Sequence, residues 1–201
     1  MAKLKAPLMS LGASGALGKA LVFFGWKGLD VVREYVIPAN PKTSGQTTQR
    51  GYLTFMVTEI HSAQAHTLYP LIAIDISAYA LWGSIFATPR TWFNQVCKNG
   101  IDQQVASKIP IVYTQGQNVP GVNSLHVYLR MLSNTATAGN FWYGTSKTAL
   151  IHSKAATVAG NALDCDITGL VTGVKYYWQF KPTAAATRIG ANSGIYYGTP
   201  T

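Results

Sequence analysis

The stretch Ile167-Thr-Gly-Leu-Val-Thr-Gly-Val-Lys-Tyr176-Tyr-Trp-Gln-Phe180 limits the folds open to this chain more than any other. A hydrophobic residue runs into a Gly-Leu-x-x-Gly turn, and a tyrosine then opens an aromatic run suited to a pleated strand. Earlier residues follow the same rule. Leu125, Val127, Leu129 and Met131 alternate with His126, Tyr128 and Arg130, the period of a half-buried strand. Phe141–Tyr143, Leu163–Ile167 and Ile195–Tyr197 are further short candidates, separated by turn signals at 118–121, 138–140, 159–161 and 191–194. Short strands with turns between them argue a β-sandwich over the C-terminal half.

The first half reads differently. Trp26-Lys-Gly-Leu-Asp30 is the expected turn of a hairpin joining Ala20–Phe24 to Val31–Ile37. In the second strand Val31, Arg33, Tyr35 and Ile37 face one way and Val32, Glu34 and Val36 the other, so both faces are mixed. Pro38-Ala-Asn-Pro41 breaks that strand, because proline has no N–H and biases the residue before it. Thr43 or Ser44 can cap a helix from Gln46 to about Gln64 whose buried stripe is Leu53, Met56, Val57 and Ile60. Ile72 to Trp82 predicts a second helix. A third is expected from the N-cap Thr88 and Pro89, with Trp92, Phe93, Val96 and Cys97 inward and Asn99-Gly100 at its end. The period changes at 106–110. The expected fold is therefore α+β: a small helical N-terminal domain with a β-hairpin, residues 1–108, followed by an all-β domain, residues 109–201.

The chain has 201 residues, 48% of them hydrophobic, which is ample for a packed core, but only 11% are charged. That is well under the usual ~25%. Low charge with many neutral polar residues is common in proteins that live in assemblies. The net charge is +9, with Lys3, Lys5, Lys19, Lys27, Arg33, Lys42 and Arg50 in the first fifty residues. These are spread singly, without a nucleic-acid motif, which argues against nucleic acid and leaves an acidic protein partner open. Ser10 to Gly18 is small and glycine-rich rather than apolar, so no signal peptide is expected. Leu68 to Phe86 is interrupted by Pro70, Asp75 and Ser77, a poor membrane span.

Catalysis needs convergent titratable groups, and the sequence offers none. Gly12-x-x-Gly15-x-x-Gly18-Lys19 lacks phosphate-loop spacing, and Ala20 stands where a magnesium-binding hydroxyl would be. Asp164 and Asp166 share one strand face around Cys165 and could hold a cation, but alternation accounts for them as solvent-facing. His61 and His66 are five apart, off a common helical face, and His126 and His152 stand singly. Cys97 and Cys165 show no metal spacing and read as buried thiols. No enzyme activity, metal or cofactor is expected. The adjacent pairs Tyr176-Tyr177 and Tyr196-Tyr197 each force one aromatic outward, which points to an interface.

Ile167 to Tyr176 resembles the E–F corner of fibronectin type III domains, in which a tyrosine hydroxyl ties strand F to the preceding turn. On that resemblance Ile109–Val112 is strand A, Ser124–Leu132 strand B and Phe141–Tyr143 strand C. Leu163–Ile167 is then strand E, Tyr177–Phe180 continues strand F, and Ile195–Thr199 is strand G. Thr172 stands where the family often has proline. An immunoglobulin-like sandwich of other topology fits almost as well.

A second resemblance covers Gly18-Lys-Ala-Leu-Val-Phe, Val32-Arg-Glu-Tyr-Val-Ile-Pro-Ala-Asn-Pro-Lys-Thr and Gln46-Thr-Thr-Gln-Arg50, followed by Trp92-Phe93. This order is similar to small uncharacterised proteins of tailed bacteriophages. It implies a virion location and a non-enzymatic structural role, with capsid decoration or cementing first and a tail or baseplate component as the alternative. Other virion proteins and copies of itself would be the partners. The candidate interface is Arg33, Tyr35, Trp142, Tyr143, Tyr177, Tyr196 and Tyr197. A carbohydrate- or surface-binding module using a host glycan is the competing reading, and a DNA-associated role for the basic first fifty residues is the third.

Overall fold

The computed structural model describes residues 2–4, 14–37, 40–132, 138–183 and 192–201. Gly12, Pro38 and Ala191, which belong to the expected glycine segment, strand break and last turn, lie outside the described residues. The described chain is α+β, with three helices and three antiparallel four-stranded sheets. No described helix is long and apolar enough to cross a membrane. The chain forms two compact units, Met1–Thr43 and Ser44–Thr201. This division differs from the expected one at 108/109: the three helices belong to the same unit as the C-terminal strands.

The first unit is one sheet. Its strands β1 (Ala2–Leu4), β2 (Gly15–Leu17), β3 (Leu21–Trp26) and β4 (Leu29–Glu34) lie in the order β1-β4-β3-β2. Trp26 pairs with Leu29, leaving Lys27 and Gly28 as a two-residue turn with φ of 50° and 77°, the geometry that matches strand twist. Phe23 is opposite Val32 and Phe24 opposite Val31. The two buried residues among those described, Phe23 and Val31, therefore point to opposite faces, as a strand with two mixed faces requires. β4 ends at Glu34, three residues short of the expected Ile37.

In the second unit, helices α1 (Ser44–Ala65), α2 (Ala73–Gly83) and α3 (Trp92–Val105) precede eight strands. Met56 and Ile60 of the expected α1 stripe are buried together with Ala63, but Leu53 is exposed. The α3 N-cap is Thr91, not Thr88: its hydroxyl accepts from the Asn94 N–H at 3.3 Å, so the helix starts three residues later than expected. Gly100 does not end α3. It is buried mid-helix, where a Cβ would strike the Met56 side chain of α1, so this glycine serves a close helix crossing rather than a stop.

The strands β5 (Tyr113–Gly121), β6 (Ser124–Met131), β10 (Ala162–Thr168) and β9 (Thr157–Ala159) form one sheet in that order. The other runs β12 (Tyr196–Gly198), β11 (Tyr176–Pro182), β7 (Gly139–Gly144) and β8 (His152–Ala155). Residues 109–112, expected as a strand, precede β5, and Asn118–Gly121, expected as a turn, lies within it. Pro120 is tolerated there because β5 is an edge strand. The inward residues of both sheets, among them Leu125, Val127, Leu163, Phe141, Trp178 and Phe180, form one buried cluster. A second cluster joins Met56, Ile60, Tyr79, Trp82 and Val96 of the helices to Val112 and Ile195. The helices thus pack on one another and, through Val112 and Ile195, on the strands, so the helices and strands share one unit. At the turn before β11, the Tyr176 hydroxyl accepts from the Val171 N–H at 3.2 Å.

Candidate interaction site

Helix α2 is apolar on nearly every side, and Asp75 interrupts it. The Asp75 carboxylate is 0% exposed. One oxygen, Oδ2, accepts from the N–H of Ile72 at 3.0 Å and of Gln115 at 2.8 Å. Oδ1 accepts from the Gly116 N–H and the Tyr196 hydroxyl, both at 2.8 Å. Four donors thereby satisfy the group and tie α2 to β5 and β12 at once. They reach it because the β5–β6 register shifts between Thr114 and Gln117, and Gln115, at φ 53°, presents two successive N–H groups. Burial raises the Asp75 carboxyl above its usual range, while its hydrogen bonds pull it down. Burial likewise pushes the Tyr79 and Tyr196 phenols up. The Tyr79 hydroxyl donates to the Tyr113 carbonyl at 3.3 Å and accepts from its N–H at 3.1 Å.

Beside this bolt, α2 and the strands leave a groove of about 430 Å³. Ala73, Ile74, Ser77, Ala78 and Leu81 supply one wall, the spacing of a single helical face. Asn118, Ile195, Tyr196 and Tyr197 supply the other. The walls close at Gly194, where a Cβ would lie 2.8 Å from the Ala78 backbone carbon, and the Ile195 N–H donates to the Ala78 carbonyl at 3.0 Å.

The structure sorts the expected interface residues by strand parity. Tyr196 is not an interface residue: it is 3% exposed, stacked on Trp178 at 4.5 Å and bonded to Asp75. Alternation sends its neighbour Tyr197 outward, at 54% exposed, opposite Tyr177 in the sheet. Those two rings lie 6.1 Å apart, and the Lys175 ammonium sits 3.6 Å from the Tyr197 ring centre and 5.3 Å from that of Tyr177. Trp142, opposite Gln179, is half-buried under the Lys181 ammonium at 4.9 Å. Tyr143 is opposite Trp178, so it packs inward on the two-sheet cluster with its ring 5.4 Å from His152. Arg33 and Tyr35 belong to the first unit; both are exposed, Arg33 lies 5.5 Å from the Phe24 ring, and Tyr35 donates its N–H to Ala20 at 2.8 Å.

Of the expected aromatics, then, the fold brings together Tyr177 and Tyr197. Sequence reading missed the α2 wall and Asn118. The signal present was Asp75: a lone carboxylate in an apolar helix demands donors from elsewhere in the fold. Asp164 and Asp166 face outward on β10, and Asp166 accepts or shares a hydrogen with His126 Nδ1 at 2.7 Å. Among the described residues no group of three or more His, Cys, Asp or Glu is placed to hold a metal ion. Cys97 and Cys165 are buried free thiols, each pushed up by burial. The sequence matches no protein-family model, and no match was found among curated proteins.

Proposed function

We propose that this chain is a non-enzymatic structural protein of an assembled particle, the virion of a tailed phage, in which the first unit makes the assembly contacts and the second projects or bridges. The observation that carries this reading is the surface of the first unit. Its described residues bury Phe23 and Val31 but leave Leu17, Trp26, Leu29, Val36 and Ile37 exposed, Ile37 at 71%. A sheet of about 40 residues rarely holds itself together without metal, disulfide or oligomerisation. Its strand β2, exposed along its length, is an edge of the described sheet and open to pairing with a neighbouring chain.

For the second unit we infer an immunoglobulin-like sandwich of the fibronectin type III kind. The order β5-β6-β10-β9 corresponds to strands A-B-E-D, and β12-β11-β7-β8 to G-F-C-C′. The Tyr176 hydroxyl, bonded five residues back, supports the tyrosine corner of that family. Such a module suits a projecting or cementing role.

Electron microscopy of particles carrying the chain tests the assignment. The expected result is lattice density with residues 14–37 against neighbouring subunits. A monodisperse chain that associates with no particle component overturns it.

A further inference from the structure

We propose that the groove between α2 and β12 binds a small molecule with an apolar or aromatic body and a carboxylate. Its volume of about 430 Å³ falls within the range of ligand clefts, roughly 300–1,000 Å³, which are mostly apolar with a few placed polar groups. Here Ile74, Leu81, Ile195 and the Tyr197 ring form the apolar walls, while Ser77 and Asn118 supply a hydroxyl and a carboxamide. A ligand body entering there covers Ile74 and Tyr197, now 56% and 54% exposed.

The charge of the ligand follows from the cation that lies against the Tyr197 wall. Lys175 is exposed, its ammonium 3.6 Å from the ring centre of Tyr197, itself a wall of the groove. The lysine stem is flexible, so the ammonium can leave the ring for a stronger partner. The acid on this helix, Asp75, offers nothing to a cationic ligand: it is fully buried and both its oxygens are filled by four donors. A carboxylate beside Tyr197 therefore meets a cation and no exposed acid of the lining, whereas an ammonium meets the repulsion of Lys175. This site stands apart from the role proposed for the first unit.

The test is a titration of the full chain, followed by amide NMR shifts, with 3-phenylpropionate and with the neutral 3-phenyl-1-propanol. Saturable shifts at Ser77, Leu81 and Tyr197 are expected for both, with the acid bound about two- to fivefold more tightly at low salt, the size of one exposed charge pair. Lys175→Gln should bring the acid down to the alcohol's affinity and leave the alcohol unchanged. Ser77→Trp, at an exposed helical position, should fill the groove and abolish both. Absent or scattered shifts overturn the site, and equal binding of acid and alcohol, or indifference to Lys175→Gln, overturns its carboxylate preference.

Discussion

The two units solve the same problem with different means. In Met1–Thr43 a single sheet buries one residue of β3 and one of β4, on opposite faces, and leaves most of its other described apolar side chains in solvent. In Ser44–Thr201 each sheet has a partner layer, and the helices add a third set of side chains around Val112 and Ile195. The chemistry of the residues is much alike: Leu, Val, Phe and Trp occur in both. What differs is whether a second layer exists in the same unit to take the apolar face. Burial is thus a property of the layer arrangement, and the same alternation yields a core in one unit and an exposed surface in the other.

The sharpest way to break this contrast is to open the second unit at its bolt. Asp75→Ala leaves three backbone N–H groups and the Tyr196 hydroxyl without their acceptor inside the protein. It should cost about 3–5 kcal/mol, read by urea unfolding. A loss no larger than that of an exposed substitution would show that the helices are not held through this carboxylate.

The pH dependence of the same group comes next in size. The folded Asp75 carboxyl is raised by burial, so the folded state binds the proton more tightly than the unfolded chain, whose carboxyl titrates near ~3.9. The associated stability is complete below that value and fades as pH rises through the folded-state value. The difference in unfolding free energy between the parent and Asp75→Asn should therefore shrink as pH rises above the unfolded-chain value of ~3.9. A difference that grows over this range would reverse the sign.

Tyr176→Phe removes the acceptor of the Val171 N–H at the turn before β11 and should cost about 1 kcal/mol in thermal or urea unfolding. Val171 is 60% exposed, so water can replace part of the bond. No loss at all would leave the corner without an energetic role.

The smallest effect on the second unit is expected from Phe23→Ala in the first. Amide protection across β3 and β4 should vanish, while the main unfolding transition moves by less than about 0.5 kcal/mol. A larger shift would mean that the two units unfold as one.

Local pattern was enough for much of this. Trp26–Asp30 marks the hairpin turn, which the structure narrows to Lys27-Gly28, and the alternation of 124–131 sets which side chains of β6 turn inward. The i, i+4 spacing of Met56 and Ile60 likewise marks the buried face of α1. Other positions resisted because their role depends on something distant in sequence. Gly100 reads as a helix stop until Met56 is seen across from it. Pro120 reads as a turn until β5 is known to be an edge. Tyr196 and Tyr197 are identical residues whose fates differ only because β12 lies beside β11 in one register and not its neighbour.

The sequence by itself marked the three helices, the strands β3, β4, β6, β7, β10, β11 and β12 and the parity of their side chains, because these depend on neighbours within a few residues. Tertiary structure alone decided that the helices join the strands as well as one another, that four donors converge on Asp75, and that α2 and β12 leave a groove between them. Each of those requires knowing which surfaces meet, and contacts between Asp75 and Tyr196 cross 121 residues of chain, far beyond the reach of any local preference.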